Sequence, residues 1–354
     1  MAYTNIDDPS AYFQALVYAG TGGLNLPVTH TNTGNSDLQP DLIWFKDRGA
    51  AYQHYLVDSS RGRAKGLHSD DTSAETTTGS TANDLVSFDS NGFKVGAPSE
   101  GNSTNGGTTS KVAWQWKVNG GTTTSLSSNI NSVCQVNQDA GISIVKYTCT
   151  GGGNGQAVQH GLGLVPQVII TKNRTDTSYS DWITYHHILT KDNFVKLNSN
   201  AASATNSPYN GAAPTSSTYN VSIDLVEATK DYVSYVFAPI QGYSKFGSYV
   251  GNGSTNGTFV YTGFKPAFVM VKAITSGKNW DISTGAVSSN QIDERLRANL
   301  ADAEESSGHI DFLSNGFKMR NTNGTQNSSG VTYIYMAFAK HPFVTSTGIP
   351  ATAR

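Results

Sequence analysis

Cysteine and charged residues are both scarce in this chain of 354 residues. It contains two cysteines, Cys134 and Cys149, which are too few for a framework of disulfides, so we expect buried free thiols. Charged residues make up 14% of the chain, the formal net charge is −2, and no run of Lys and Arg is present. The composition therefore argues against a protein that binds nucleic acid by neutralising phosphates.

Long apolar runs and catalytic motifs are missing as well. No apolar stretch is long enough to cross a bilayer, and Asp7 and Asp8 stand where a signal peptide would carry Lys or Arg. The sequence has no HExxH motif, no pair of CxxC motifs, no phosphate-binding loop and no GxSxG motif. The adjacent His186 and His187 should point to opposite faces of a strand. We therefore expect no membrane insertion, no metal, no cofactor and no enzymatic activity.

Aromatic residues and glycine are plentiful by contrast. The chain holds 17 Tyr, 14 Phe and 5 Trp spread over its whole length, together with 36 Gly. Disordered chains lack such aromatic anchors. Glycine with many Ser, Thr and Asn residues is typical of polar turns between short strands. These features predict an all-β fold.

One segment, a proline followed by an apolar run that ends in lysine, recurs three times. The lysine lies six residues after the proline in each copy, and the run is rich in β-branched and aromatic residues. The copies read Pro40-Asp-Leu-Ile-Trp-Phe-Lys46, Pro166-Gln-Val-Ile-Ile-Thr-Lys172 and Pro266-Ala-Phe-Val-Met-Val-Lys272. The constant offset predicts three equivalent central strands.

Other landmarks accompany this segment in a constant order. An aromatic strand that runs into glycine precedes it, at Leu16–Gly22, Val145–Gly151 and Gly247–Gly253. A segment that begins with leucine follows it, at Leu67–Glu75, Leu197–Thr205 and Leu296–Glu304. An aromatic strand closes each copy, at Val112–Trp116, Tyr232–Phe237 and Tyr333–Phe338. The repeated order indicates three divergent copies of one module.

Two local signals make finer predictions. Ser-Asn-Gly lies between apolar residues in Phe88–Lys94 and again in Phe312–Lys318, and Asn-Gly is the favoured two-residue hairpin turn. The pattern from Asp293 to Glu305 favours a short helix in the third copy.

We therefore predict three tandem β-sandwich or jelly-roll-like modules with short helical insertions. The predicted bounds are residues 14–118 for module 1, 141–242 for module 2 and 243–345 for module 3. Residues 1–13 are predicted to be an N-terminal attachment arm, 119–140 a linker or edge segment, and 346–354 a C-terminal tail. A sandwich of this size buries enough apolar surface to fold alone, so each module should be independently stable.

Three stretches resemble a repeat module found in virion proteins of marine tailed bacteriophages. They are Ile6–Phe13, Phe246–Gly257 with Val260–Pro266, and Leu313–Lys318 with Thr332–Phe343. The resemblance covers nearly the whole chain and is densest near its end. It implies a phage structural protein of the tail-fibre or fibre-like kind, located in a virion that is assembled in the host cytoplasm and released by lysis. It supplies no catalytic residues and no host ligand.

We therefore expect a non-enzymatic virion protein, a tail-fibre, knob or fibre-like appendage that contributes to virion assembly and host attachment. Its expected partners are other tail or capsid proteins, and the symmetry of fibres predicts a homo-oligomer, with a trimer as a common solution. An alternative is an adhesin that binds host-surface polysaccharide. A polysaccharide depolymerase is a less favoured alternative, because it needs two carboxylates in one cleft.

Aromatic residues near loops are the candidates for contact with a partner or a glycan. In the N-terminal segment these are Tyr12 and Phe13. Tyr243, Tyr249 and Tyr261 sit near turns and are expected to form an exposed aromatic surface.

Tryptophan and lysine also recur around the central strands. Trp182 and Trp280 follow two of these strands and Trp44 lies in the third, so each could stack on a sugar ring, although core packing is the favoured role. The three lysines end a strand that should be buried. Solvation at the strand end, or an ion pair with a turn carboxylate, is the expected role for them.

Overall fold

A computed structural model describes residues 3–24, 26–78, 83–99, 102–151, 153–177, 180–222, 227, 229–288 and 290–350. These residues form 27 β-strands, one 3-10 helix at Pro9–Ala11 and one short α-helix, α1, at Asn102–Asn105. The predicted all-β class with short helical insertions is confirmed. In the described ranges neither helix has the length and apolarity needed to span a membrane.

The strands fall into three groups along the chain. Module 1 contains β1 (Phe13–Ala19), β2 (Val28–Thr31), β3 (Leu42–Asp47), β4 (Tyr55–Asp58), β5 (Lys65–Gly66), β6 (Thr76–Thr77), β7 (Leu85–Asp89), β8 (Gly92–Val95) and β9 (Ser110–Trp116). Next come β10 (Thr124–Leu126), β11 (Ser132–Asn137), β12 (Ile142–Thr148), β13 (Gln156–Gln159), β14 (Val168–Asn173), β15 (Ile183–His186), β16 (Asn193–Lys196), β17 (Ala204–Thr205), β18 (Thr218–Val221) and β19 (Asp231–Phe237). Module 3 contains β20 (Ser244–Val250), β21 (Phe259–Tyr261), β22 (Phe264–Ala273), β23 (Asp281–Thr284), β24 (Ile292–Arg297), β25 (Glu305–Leu313), β26 (Gly316–Met319) and β27 (Thr332–Pro342).

Each module has an inner antiparallel sheet with the same strand order. The order is β1-β9-β3-β4 in module 1, β12-β19-β14-β15 in module 2 and β20-β27-β22-β23 in module 3. The strand that carries the recurring lysine (β3, β14 or β22) therefore has two neighbours in each sheet. One is the closing strand of the module, and the other is the next strand along the chain, β4, β15 or β23. Smaller outer strands, such as β2-β8-β7 and β13-β18, cover the other face of the inner sheets. This two-layer arrangement is that of a β-sandwich.

The inner sheets of all three modules surround one shared core. Buried apolar side chains of the three modules form one continuous cluster, to which Trp114, Tyr235 and Phe338 belong. Phe13 of β1 stacks on Phe338 of module 3, with ring centroids 5.4 Å apart. Each module has a second core between its inner and outer strands. A side chain of an inner sheet therefore packs within its module or against the other two, according to the face it occupies.

The recurring lysines join the modules in a ring. Each is buried, and its ammonium group donates a hydrogen bond to a backbone carbonyl in the leucine-led segment of another module. The Nζ–O distances are 3.0 Å from Lys46 to Ala301, 3.2 Å from Lys172 to Thr72 and 3.0 Å from Lys272 to Asn200. The expected solvation of these amines is wrong. Module 1 is bonded to module 3, module 2 to module 1, and module 3 to module 2.

Indole groups form a second joint at two of the three boundaries. Trp182 and Trp280 each precede the strand next to the central one, and their Nε1–H groups donate to His68 O at 2.7 Å and Lys196 O at 2.9 Å. His54 occupies the same position in module 1, and its Nε2 lies 2.8 Å from Arg297 O. Its Nδ1 accepts from Trp44 Nε1 at 2.8 Å. The equivalent of the two tryptophans is therefore His54, while Trp44 lies within a central strand.

The predicted arm, linker and tail pack against the modules. Ile6 is buried in the shared core, and Thr4 Oγ1 donates to Gln241 O at 2.7 Å, so the described part of the arm does not project from the body. Residues 119–140 contribute β10 and β11, which extend the inner sheet of module 2 and fit the edge-strand interpretation of this segment. Ser346 of the tail bonds to Asp7. Residues 1–2 of the arm and 351–354 of the tail lie outside the described residues.

Two finer predictions are corrected. The predicted helix from Asp293 to Glu305 is wrong, because residues 292–297 form β24. Ile292 packs in the outer core of module 3 and Leu296 in the shared core, and an extended segment can serve both layers. The hairpins exist, but Ser-Asn forms each turn. The glycine begins the next strand, where a Cβ on Gly316 would lie 2.1 Å from Val260 O.

Candidate contact surface

Most of the aromatic candidates from the sequence are buried. The side chains of Phe13, Trp182 and Trp280 are buried in the shared core. The expected exposure of Tyr243 and Tyr249 is wrong. Tyr243 packs on Phe338 in the shared core, while Tyr249 stacks on Tyr333, with centroids 5.1 Å apart, and donates to Gln326 O at 2.6 Å. The hydroxyl of Tyr249 has an interior partner, and both residues are buried although they lie near turns.

Tyr12 and Tyr261 remain accessible. Tyr12 is half-buried, contacts Tyr243 edge to face, and lines a groove between modules 1 and 2 together with Lys117 and Asp139. Tyr261 is 49% exposed and lies on the outer edge strand of module 3. The two tyrosines are therefore the sequence candidates that retain accessible surface.

Strand β21 gives Tyr261 an aromatic neighbour. Alternation along a strand sends Val260 into the outer core and leaves Phe259 and Tyr261 on the outer face, with 43% and 49% of their surface exposed. The strand pairs with β26, where Phe259 faces Lys318 and Tyr261 faces Gly316. Gly316 has no side chain, so β21 can lie close to β26. A Cβ added to Gly316 would be only 2.1 Å from Val260 O.

Two further side chains surround Tyr261. The hydroxyl of Tyr3 donates to Gly263 O at 2.8 Å and lies 3.3 Å from the hydroxyl of Tyr261. Lys245 Nζ lies 5.1 Å from the centre of the Tyr261 ring and donates to Tyr261 O at 2.8 Å. Partial burial lowers the pKa of Lys245, and burial raises that of Tyr3. We call Tyr3, Lys245, Phe259 and Tyr261 the aromatic surface.

The other modules lack this surface at the equivalent position. In module 1 the strand β2 pairs with β8 in the same register, and Thr29 and Thr31 stand where module 3 has Phe259 and Tyr261. The outer strand β13 of module 2 carries Ala157 and Gln159 on either side of its buried Val158. Scattered apolar surface residues are ordinary, but a pair that replaces two small polar residues of a repeat points to a contact specific to module 3.

The aromatic surface suits binding of a flat, partly apolar ligand. Aromatic rings offer a large rigid area with little loss of conformational entropy, and a tyrosine adds a hydroxyl that can hydrogen-bond. The ammonium group of Lys245 already lies over Tyr261, in a cation–π geometry that holds the ring in place. The C–H face of a sugar ring and an aromatic residue of another protein are both compatible with this arrangement.

Sequence reasoning found Tyr261 and missed its neighbours. Phe259 could have been found, because the alternating run Thr258-Phe-Val-Tyr-Thr262 is a strand pattern with two aromatic residues on one face. Tyr3 and Lys245 could not be found in this way, because they reach Tyr261 through contacts between segments far apart in the chain.

The adjacent histidines are used in packing. Their rings stack with centroids 5.1 Å apart, so the expectation that they point to opposite faces is wrong. His186 Nε2 lies 3.2 Å from Tyr335 O and His187 Nε2 lies 3.1 Å from Phe246 O, and burial lowers the pKa of His186 to about 3. In the described part of the chain, no group of three or more His, Cys, Asp or Glu residues is arranged to hold a metal ion.

The described residues form open grooves of about 540, 650 and 660 Å³. Asp139 is the carboxylate among the described residues that line the second groove, and the linings of the other two contain none. A glycosidase requires two carboxyl groups about 5–10 Å apart. These grooves therefore give no geometric support to the depolymerase alternative.

Comparison with known proteins identifies a family. Residues 8–342 match the family described as a domain of unknown function, DUF7483. Searches of curated proteins and of solved structures found no significant match. Because the match spans nearly the whole chain, the protein belongs to the DUF7483 family.

Proposed function

We propose that the protein is a non-enzymatic structural component of a phage virion that contributes to host attachment through the aromatic surface. The observation that carries the proposal is the outward-facing pair Phe259 and Tyr261, present in module 3 and replaced by small polar residues in module 1. The resemblance to phage virion proteins gives the setting. The protein would act as a tail-fibre, knob or fibre-like part in contact with other tail or capsid proteins.

The rigidity of the body supports this role. Three inner sheets share one core and are joined by the lysine and indole bonds, so a force applied to one module is carried by the other two. Arg48 and Glu304 add a two-point ion pair between modules 1 and 3, with N–O distances of 2.7 and 2.8 Å. Such a body can hold a contact surface in a fixed orientation, as an appendage requires.

The virion location is tested on purified particles of the phage that encodes the chain. Mass spectrometry and gold-labelled antibodies should detect the protein in mature particles, at one type of external position. Absence from particles after gradient purification would contradict the proposal. Sedimentation of the purified protein tests the proposed homo-oligomer, for which a trimer is expected.

A polysaccharide-binding adhesin is the second candidate, and the geometry of Tyr261, Lys245 and Tyr3 favours it. Glycan-array binding by the recombinant protein should weaken about fivefold in Tyr261→Ala, because an aromatic contact contributes about 1 kcal/mol. Tyr52→Ala is the matched control, since Tyr52 is 36% exposed and lies in module 1. Equal binding by the wild type and Tyr261→Ala, or no binding to any glycan, would remove the adhesin and leave a protein contact as the role of the surface.

A further inference from the structure

The first strand in the common order of each inner sheet has one side paired with the closing strand and one outer side. These outer sides are equivalent in the three modules. β1, β12 and β20 each pair over seven residues with the closing strand of their module. Tyr18, Tyr147 and Tyr249 occupy the sixth position of the three strands, so the registers coincide. The groups that contact the outer side of each strand can therefore be compared among the modules residue by residue.

In module 2 this outer edge is covered by a strand, and in module 3 a side chain contacts it at one carbonyl. β11 lies against β12 as an added antiparallel strand, with Asn137 opposite Ile142 and Ser132 opposite Tyr147. In module 3 the ring of His187, from module 2, lies 3.1 Å from Phe246 O on β20. The same backbone edge is thus paired along its length in module 2 and contacted at one carbonyl in module 3.

In module 1 the edge is open. Among the described residues β1 pairs with β9 alone. Lys117 N donates to Tyr12 O and Gly20 N to Thr109 O, so the even-numbered residues of this segment bond to the β9 side. Because bonding alternates along an antiparallel strand, the N–H and C=O groups of Phe13, Ala15 and Val17 face away from β9. An unpaired edge of this kind is a template for another strand.

The open edge borders a groove of about 540 Å³ between modules 1 and 3. Ala267, Gly285 and Ala286 of module 3 form the wall opposite β1. Gly285 directly follows β23, as His187 directly follows β15, so it is the equivalent of the residue that contacts β20. A Cβ on Gly285 would meet Phe312 Cδ2 at 3.7 Å, an ordinary contact. The backbone therefore has room for a side chain here, and its absence keeps the groove open.

We propose that β1 binds an extended segment of another polypeptide, which adds to the sheet of module 1 as an antiparallel strand. β11 is the internal template, because it occupies the same edge of module 2. The small wall residues favour apolar side chains at alternate positions of the segment. Lys340 lines the same groove and favours a carboxylate in it. Main-chain hydrogen bonds to Phe13, Ala15 and Val17 supply the affinity.

The test uses the full-length protein and a library of displayed nine-residue peptides. Peptides are selected for binding to the wild type, and their enrichment is compared with that on Gly285→His. This substitution places a histidine in the groove at the position equivalent to His187. Enriched peptides should alternate apolar and other residues. As synthetic peptides they should slow the amide exchange of Ala15 and Val17, and bind Gly285→His at least tenfold more weakly. Gly277→His is the matched control, since a Cβ there would lie 3.5 Å from Asn200 O, away from the groove.

A second variant guards against misfolding of the first. Ala15→Pro removes an N–H that faces the open edge and leaves the β9 hydrogen bonds intact, so the protein should keep its melting temperature and lose peptide binding. The proposal is overturned if no peptide is enriched on the wild type over Gly285→His, or if enriched peptides leave the Ala15 and Val17 amides unchanged. It is also overturned if the wild type self-associates and Gly285→His does not, because the occupant would then be a second copy. Peptide binding by Tyr261→Ala should equal that of the wild type, which separates this edge from the aromatic surface.

Discussion

At the scale of single residues, buried cations at the module boundaries are held by backbone carbonyls. Lys46, Lys172 and Lys272 each donate to at least two carbonyl groups, and burial lowers the pKa of all three to about 8. A carbonyl carries only a partial charge, so it offsets part of the cost of removing an ammonium group from water. The joints are therefore sensitive to the protonation of the lysines.

This protonation predicts a pH dependence for Lys272. Its pKa is about 8 in the folded protein and about 10.4 in the unfolded chain, so between these values the unfolded chain binds more protons. Stability conferred by this group therefore rises with pH from about 8 to about 10. Urea unfolding should show the wild type gaining stability relative to Lys272→Met over this range.

The comparison with Lys272→Met is needed because Cys134 acts in the opposite sense. Burial raises the pKa of Cys134 to about 11, so its contribution falls as pH rises above about 8.5, equally in both proteins. A difference between the two proteins that does not change with pH would contradict the prediction.

The indole joint predicts unequal effects of two similar substitutions. Trp280 and Trp116 are both 3% exposed, but Trp280 Nε1 donates to Lys196 O, whereas Trp116 Nε1 has no partner among the described residues. Trp280→Phe removes the shorter of two hydrogen bonds to Lys196 O and leaves only the Ser199 N–H, at 3.3 Å, which costs about 1 kcal/mol. Trp116→Phe instead removes an unpaired donor. Free energies of unfolding should differ by about 1 kcal/mol or more, with Trp280→Phe the less stable. Equal losses would show that the joint carries no net stability.

At the scale of elements, the sequence was most informative where three copies could be compared. The offset from proline to lysine located β3, β14 and β22, because a central strand must keep its length and register in each copy. Single-copy signals were weaker. The helix-favouring composition of residues 293–305 gave way to strand pairing, since tertiary packing overrides local propensity. The sequence does not identify His54 as the equivalent of Trp182, because an imidazole and an indole have little in common. The equivalence lies in their position before the strand and in the contact that each makes with a backbone carbonyl of another module.

The candidate surface could be predicted only in part from the sequence. Tyr261 and Phe259 follow from alternation along β21, but the contact of Tyr3 with Tyr261 joins opposite parts of the chain. Tyr243 and Tyr249 were misplaced because a position near a turn does not show which face of the sheet a residue occupies. The open edge of β1 also needed the structure, since it depends on what neighbouring modules place beside it.

The outer hairpin of module 3 predicts that Gly316→Ala disturbs the aromatic surface. The new Cβ would lie 2.1 Å from Val260 O and push β21 away from β26. The protein should lose about 1–3 kcal/mol of stability, and the Val260 amide should exchange faster. Gly277→Ala serves as the control, because its Cβ meets nothing closer than Asn200 O at 3.5 Å. Unchanged exchange at Val260 in Gly316→Ala would count against the close approach of the two strands.

At the scale of the whole molecule, the shared core changes the expectation for the modules. The size of each sandwich predicts independent folding, but side chains such as Trp182 and Tyr235 are buried in a cluster to which all three modules contribute. Separating one module would expose that face to water, at about 25 cal/mol for each Å² of apolar surface. The lysine and indole joints would be broken as well. We therefore predict that the three modules unfold together, although two-state behaviour is uncommon in chains of this length.

Differential scanning calorimetry of the intact protein is the most direct test that three copies of one module close around a single core. The calorimetric and van't Hoff enthalpies should agree in one transition, and Lys272→Met should lower the temperature of that transition without splitting it. Separate transitions for the modules, or a Lys272→Met variant in which one part melts early while the rest is unchanged, would contradict this account.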